Sequence, residues 1–172
     1  MSRTITVGLN AVIVSVRDDA PQVLTVGDES GPPRLPSGAL DPERDRTLEL
    51  GLRGWVRRQT GRKLGYVEQL YTFGDEGRDP RERAGGPRML SVAYLALTQD
   101  LPADAAGGRW MGCYGFLPWE DWRNERPAVL AAIDTALQAW SRHAGSREER
   151  ERRLERTEIC FGLGGAGWDG YR

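Results

Sequence analysis

The chain has 172 residues, enough for one domain or for one domain with a tail. Its 24 Lys and Arg residues balance 25 Asp and Glu, for a formal net charge of -1. That balance excludes a broad basic footprint for nucleic acid or an anionic membrane. Hydrophobic residues at 39% against 28% charged exclude a wholly disordered chain.

The longest apolar run, LNAVIVSV, is interrupted and far too short to cross a bilayer as a helix. The opening MSRTITVGLN alternates and has no small-residue cleavage motif, so it does not read as a signal peptide. Cys113 and Cys160 lie in no C-x-x-C motif and are expected to be reduced thiols in a cytoplasmic protein. The single histidine, His143, falls near the end of an expected helix, which suits a solvent- or dipole-facing residue better than a general base.

Residues 3–17 read as a strand, with a bulge expected near Asn10–Ala11 because the apolar alternation changes parity there. Residues 22–26 follow the turn DDAP as a second strand, and a Gly- and Pro-rich loop then runs from Gly27 to Pro42. Residues 45–60 read as a helix. Asp45 is its expected cap, Leu48, Leu52, Trp55 and Val56 form its stripe, and Gly61 is its stop. Gly51 and Gly54 inside it mark either close approach of another group or a helix held by its packing.

Residues 64–73 and 89–98 are expected strands, separated by the polar stretch GDEGRDPRERAGGPR. A further strand is expected over 109–117, followed by a helical turn at PWEDW. Residues 126–144 carry Leu130, Ile133, Leu137, Trp140 and Ala144 at helical spacing, a stripe expected to pack on the sheet. In SREERERRLERTE, Ser146 and Glu149 form a capping box, and Glu148–Arg152 and Glu149–Arg153 are i,i+4 pairs. GLGGAG at 162–167 has no strand–turn–helix context and is not read as a dinucleotide fingerprint. The pattern predicts an α/β protein: a mixed β-sheet sandwiched between helices, plus a C-terminal charged linker helix. The expected division is a domain over 1–145 and a charged helix and tail over 146–172.

LPSGALDPERDRTLELGLRGWVRRQTG resembles a Nudix box, G-x5-E-x7-R-E-U-x-E-E-x-G-U, where U is aliphatic. Gly61 and Val56 match that pattern. Gly54 and Trp55 stand at the R-E positions, Arg58 and Gln59 at the paired glutamates, Arg62 at the last aliphatic and Arg46 at the early glutamate. In that family the glutamates hold Mg²⁺, which needs oxygen ligands. Arg58 and Gln59 supply a cation and a neutral amide instead, so no cofactor is expected. Mg²⁺ enters only if Glu43, Glu49 or Glu68 serve as relocated ligands of a divergent hydrolase of nucleoside diphosphate derivatives.

EQLYTFGDEGRDPR followed by SVAYLALT resembles the Nudix-related transcriptional regulators of NAD metabolism. The resemblance implies a non-hydrolysing sensor for ADP-ribose or a related nucleotide, a homodimer, and DNA contact only through a winged-helix domain after this chain. No membrane partner is implied. The expected ligand contacts are Arg34, Arg58, Arg78 and Arg81 on phosphate and Tyr71, Phe73 and Tyr94 on the nucleoside. The arginine loop also reads as a solvated hairpin, and the tyrosines as sheet packing. A third reading is an interaction module with Trp119, Trp122 and Trp168 facing a partner.

Overall fold

A computed structural model describes residues 4–27, 31–99 and 107–161. GLGGAG and Trp168 lie outside them. Strand β1, Ile5–Arg17, is the spine of the sheet. Leu9, Ala11 and Ile13 alternate toward one face and are almost fully buried. The expected bulge at Asn10–Ala11 is not present, since β1 runs in unbroken parallel register with a later strand from Ile5 to Val14. The parity change has a different cause. Ile5, Val7 and Leu9 belong to one face, whereas Val12, Val14 and Val16 belong to the other, and both faces are apolar.

Asp18 and Asp19 both take positive φ, 50° and 57°, and turn β1 back into β2, Ala20–Val26. Two positive φ values suit the right-handed twist of a two-residue hairpin. Strand β3, Ser37–Ala39, extends the same side of β1 at Gly8–Asn10.

Helix α1, Leu48–Thr60, begins two residues later than a cap at Asp45 would place it. Its cap is Thr47, whose side chain accepts from the Leu50 N–H at 3.1 Å. Asp45 instead accepts from the Asp41 N–H at 2.9 Å and closes the preceding turn. The helix stops at Gly61 with φ 68°, as expected. Leu52 and Val56 enter the core with Leu9, Ile13, Leu24 and Val92. Burying each such side chain contributes about 1.5–3 kcal/mol.

Strand β4, Glu68–Phe73, is shorter than expected, because Arg53 takes the carbonyls of Leu64 and Gly65, at 2.6 and 2.7 Å. A short helix, α2 (Pro80–Arg83), precedes β5, Arg88–Leu97. Strand β6 covers only Gly108–Gly112, after which Cys113–Gly115 turn as a 3-10 segment. The sheet order is β4-β5-β1-β2-β6, with β1–β5 parallel and the other pairs antiparallel.

The packing forms two compact units, Met1–Gly115 and Phe116–Arg172. In the second, PWE forms a 3-10 turn and helices α3, Val129–Arg142, and α4, Arg147–Phe161, pack on each other. His143 ends α3, exposed, with Nδ1 2.7 Å from the Ala139 carbonyl oxygen. Ser146 accepts from the Glu149 N–H at 3.1 Å, and the Glu149 carboxylate accepts from the Gly145 N–H at 3.0 Å. The expected pairs Glu148–Arg152 and Glu149–Arg153 both form.

Candidate functional site

The positions that resemble the metal-binding box are committed to holding α1 on the sheet. Trp55 donates its indole N–H to the Ala39 carbonyl at 2.9 Å. Its ring lies flat against Gly38, where a Cβ would stand 2.0 Å from Cε2, so any larger residue would displace the indole. The Arg58 guanidinium covers the ring from outside, 4.1 Å from its centroid. Gln59 grips β3 with both ends of its amide. It accepts from the Ser37 N–H at 2.9 Å and donates to the Ser37 carbonyl at 2.8 Å.

This donor set does not fit Mg²⁺. The ion takes carboxylate, carbonyl and water oxygens at short range. Trp55 offers no oxygen, Arg58 brings a positive charge, and the Gln59 oxygen is spent on Ser37. Arg58 and Trp55 border a cleft of about 390 Å³ with Ala39, Asp41, Arg44 and Asp45. Its two acids and two bases balance, so no field there favours a dication. Among the described residues no group of three or more His, Cys, Asp or Glu side chains gathers as a metal site. Glu49, a candidate relocated ligand, is paired with Arg53 at 2.8 Å. Glu43 lies exposed before the helix and Glu68 lies exposed on β4.

The arginine loop is built rather than slack. Asp79 caps α2 and accepts from the Arg81 N–H at 2.8 Å. The Arg81 guanidinium folds back onto both Asp79 oxygens, at 3.0 and 2.8 Å. That side-chain contact, with the Arg81 backbone N–H behind it, holds the Asp79 carboxyl down at about 2. Glu82 is buried and pairs with Arg88 at 2.9 Å, while Arg88 also donates to the Gly74 carbonyl at 2.6 Å. Burial pushes the Glu82 carboxyl up. The Arg88 hydrogen bond and charge, with the Gly77 and Met89 N–H groups, more than offset it, and the net shift is downward.

Tyr71 and Phe73 meet edge to face at 4.9 Å, and the Arg78 guanidinium sits 4.3 Å from the Phe73 centroid. The structure therefore joins Tyr71, Phe73 and Arg78 in one exposed group, with Tyr71 61% exposed. Tyr94 is not part of it. By the β4–β5 register, Tyr94 shares the α1 face of the sheet with Gln69, while Tyr71 and Phe73 point to the other face. Tyr94 is 7% exposed within the core, and its hydroxyl reaches Gln69 Oε1 at 3.4 Å. Burial, then the nearby Glu49 charge, push its phenol up. Arg34 is exposed beside β2, where it bridges Val26, and β5 and β1 separate it from β4.

Two features of α1 are not legible in the motif. The sequence puts Trp55 in the apolar stripe and both Trp55 and Gln59 at glutamate positions of the box, but it does not show that they clamp α1 to β3. Gly38, one residue from the clamp's Ser37, was the available signal. The basic residues Arg53, Arg57, Arg62 and Lys63, whose spacing brackets Gly54 and Gly61, gather on one flank of α1, which the motif does not announce.

No family model matches the chain, and no curated protein matches it. Solved structures do. The Nudix domain of Shewanella oneidensis NrtR, complexed with ADP-ribose, superposes with a TM-score of 0.54 at 23% identity. It covers 81% of this chain and 90% of that one. The fold is that of a Nudix domain. Shewanella oneidensis NrtR complexed with a 27mer DNA gives 0.50 at 24% identity, covering 79% of this chain and 62% of that one. This chain thus spans about three fifths of the length of that NrtR. A MutT/nudix family protein from Enterococcus faecalis gives 0.52 at 22% identity, covering 65% and 45%. The mixed sheet and α1 of this Nudix fold occupy the first unit, and no described helix is long and apolar enough to cross a membrane.

Proposed function

We propose that this chain is a ligand-sensing Nudix-fold domain that binds a nucleotide diphosphate, ADP-ribose or an NAD relative, without hydrolysing it. The observation that carries the reading is the reassignment of the box. Trp55 and Gln59 fasten α1 to β3, and Arg58 stacks on Trp55 where a cation would be held. The likeness to a Nudix domain crystallised with ADP-ribose supports the ligand class.

In this reading Arg78 contacts the diphosphate as a fixed cation, whereas Arg58, stacked on Trp55 on the α1 face of the sheet, stands outside the group that Arg78 forms with Phe73 on the other face. Tyr71 and Phe73 stack on the nucleoside. Arg81 contributes little, because Asp79 already fills its fork. Arg34 binds only an extended ligand, given its separation from β4. Tyr94, buried on the opposite face of the sheet, makes no ligand contact in this reading. The likeness to an NrtR bound to DNA supports a place in a homodimeric transcriptional regulator of NAD metabolism. DNA contact belongs there to a domain outside these 172 residues, and binding shifts a two-state equilibrium that alters it.

A thermal-shift panel of ADP-ribose, NAD and simple nucleotides, run with and without Mg²⁺, tests the reading. Stabilisation by ADP-ribose that survives chelation supports it. Release of AMP that depends on Mg²⁺ contradicts it and makes the chain a divergent hydrolase. Silence across the panel contradicts it too and leaves an interaction module.

A further inference from the structure

On the flank of α1 away from the β3 clamp lies a second cleft, of about 320 Å³, lined by Arg53, Gly54, Arg57, Arg62, Lys63 and Leu64. Four of these six residues are cationic, and no carboxylate lines the cleft. We propose that this cleft is an anion site that takes a phosphate or diphosphate group.

Three observations build it. First, its wall is fixed. Arg53 donates to Glu49 and to the carbonyls of Leu64 and Gly65, which ties the 62–65 segment to the helix. Second, its donors are available. Arg57 and Lys63 are exposed, and among the described residues neither makes an ion pair. Third, its floor is a glycine, which puts no side chain into the cleft. A Cβ at Gly51 would meet the Asp45 carboxylate at 2.7 Å and Leu9 at 3.0 Å, so that glycine is required. A Cβ at Gly54 would meet only the tip of Arg58, at 3.3 Å. Gly54 weakens the helix, and in return it leaves room for the Arg58 guanidinium over Trp55 and bare backbone at the base of a cationic cleft.

The opposing field is smaller than the attraction. The α1 C-terminus presents about half a negative charge, and Glu49 offsets Arg53. Arg57 and Lys63 still leave an excess of positive charge. Guanidinium forks suit phosphate oxygens, and a lysine adds a point charge. Because the site is open, binding weakens with salt. The inference does not depend on the nucleotide reading, since Arg78, Tyr71 and Phe73 take no part in it.

Lys63 is the only lysine in the chain, so reductive ¹³C-methylation gives one side-chain NMR reporter inside the cleft. Inorganic pyrophosphate at low salt is expected to move that resonance in a saturable way. Arg57→Glu is expected to weaken the response about ten-fold. Arg81→Glu, in the arginine loop, is expected to leave it intact. Gly54→Ala removes the open floor while favouring the helix. It should weaken pyrophosphate binding. ADP-ribose in place of pyrophosphate shows whether the group arrives on a nucleotide or free.

A Lys63 resonance indifferent to pyrophosphate at low salt overturns the proposal. A response unchanged by Arg57→Glu, or equally lost in Arg81→Glu, also overturns it. ADP-ribose binding that persists in Arg57→Glu leaves the nucleotide reading standing by itself.

Discussion

At the residue scale, the charge reversal at position 58 is only part of the change. Position 58 gained a guanidinium that covers Trp55, and position 59 kept an amide that grips Ser37. Gln59→Ala leaves the Ser37 N–H and carbonyl without their partner. It is expected to cost about 1–3 kcal/mol in urea unfolding. Gly38→Ala puts a methyl group into the Trp55 ring and is expected to cost a similar 1–3 kcal/mol through overpacking. Acid behaviour follows from Asp79 and Glu82, both held below their ordinary values. A depressed carboxylate stabilises the fold fully above its unfolded value of about 4. That stability drains as pH falls through the folded value, which for Asp79 is about 2. The melting temperature should therefore fall as pH drops below about 4. Arg81→Gln removes the leading cause of the Asp79 shift and should flatten that decline. A pH series of melting curves on both proteins checks it.

At the scale of elements, helix α1 connects fold to site. Leu52 is fully buried, and Leu52→Ala is expected to cost about 2–5 kcal/mol, read by chemical denaturation. The end of this helix was legible because Gly61 signals its own conformation. Its start was not, because Asp45 and Thr47 are both competent caps and only the turn at Asp41 decides between them. The apparent bulge in β1 failed for a related reason. Parity in a sequence separates two apolar faces from one kinked face only when the neighbouring strand is known. Strands β4 and β6 came out shorter than their apolar runs, since Arg53 and the Cys113–Gly115 turn use backbone groups that a ladder would need. The arginine loop gave residue types but not partners. Nothing in RDPR announces that Arg81 answers Asp79 while Arg88 answers Glu82 across six residues.

For the whole molecule, the sequence pattern was enough to anticipate the mixed sheet and to place the box on α1, and the fold agrees. The candidate site was only half legible. Tyr71, Phe73 and Arg78 assemble, whereas Tyr94 faces the other side of the sheet and Arg34 lies beyond β1. Side chains on one strand alternate, but a bulge at Gln69–Tyr71 decides which of its aromatics share a face with those of β5. The most direct measurement is calorimetric titration of ADP-ribose into the protein, once with a chelator and once with Mg²⁺, with AMP assayed in the cell afterwards. The account predicts the same affinity in both runs and no AMP. Binding that appears only with Mg²⁺, or AMP that accumulates with it, would contradict the account.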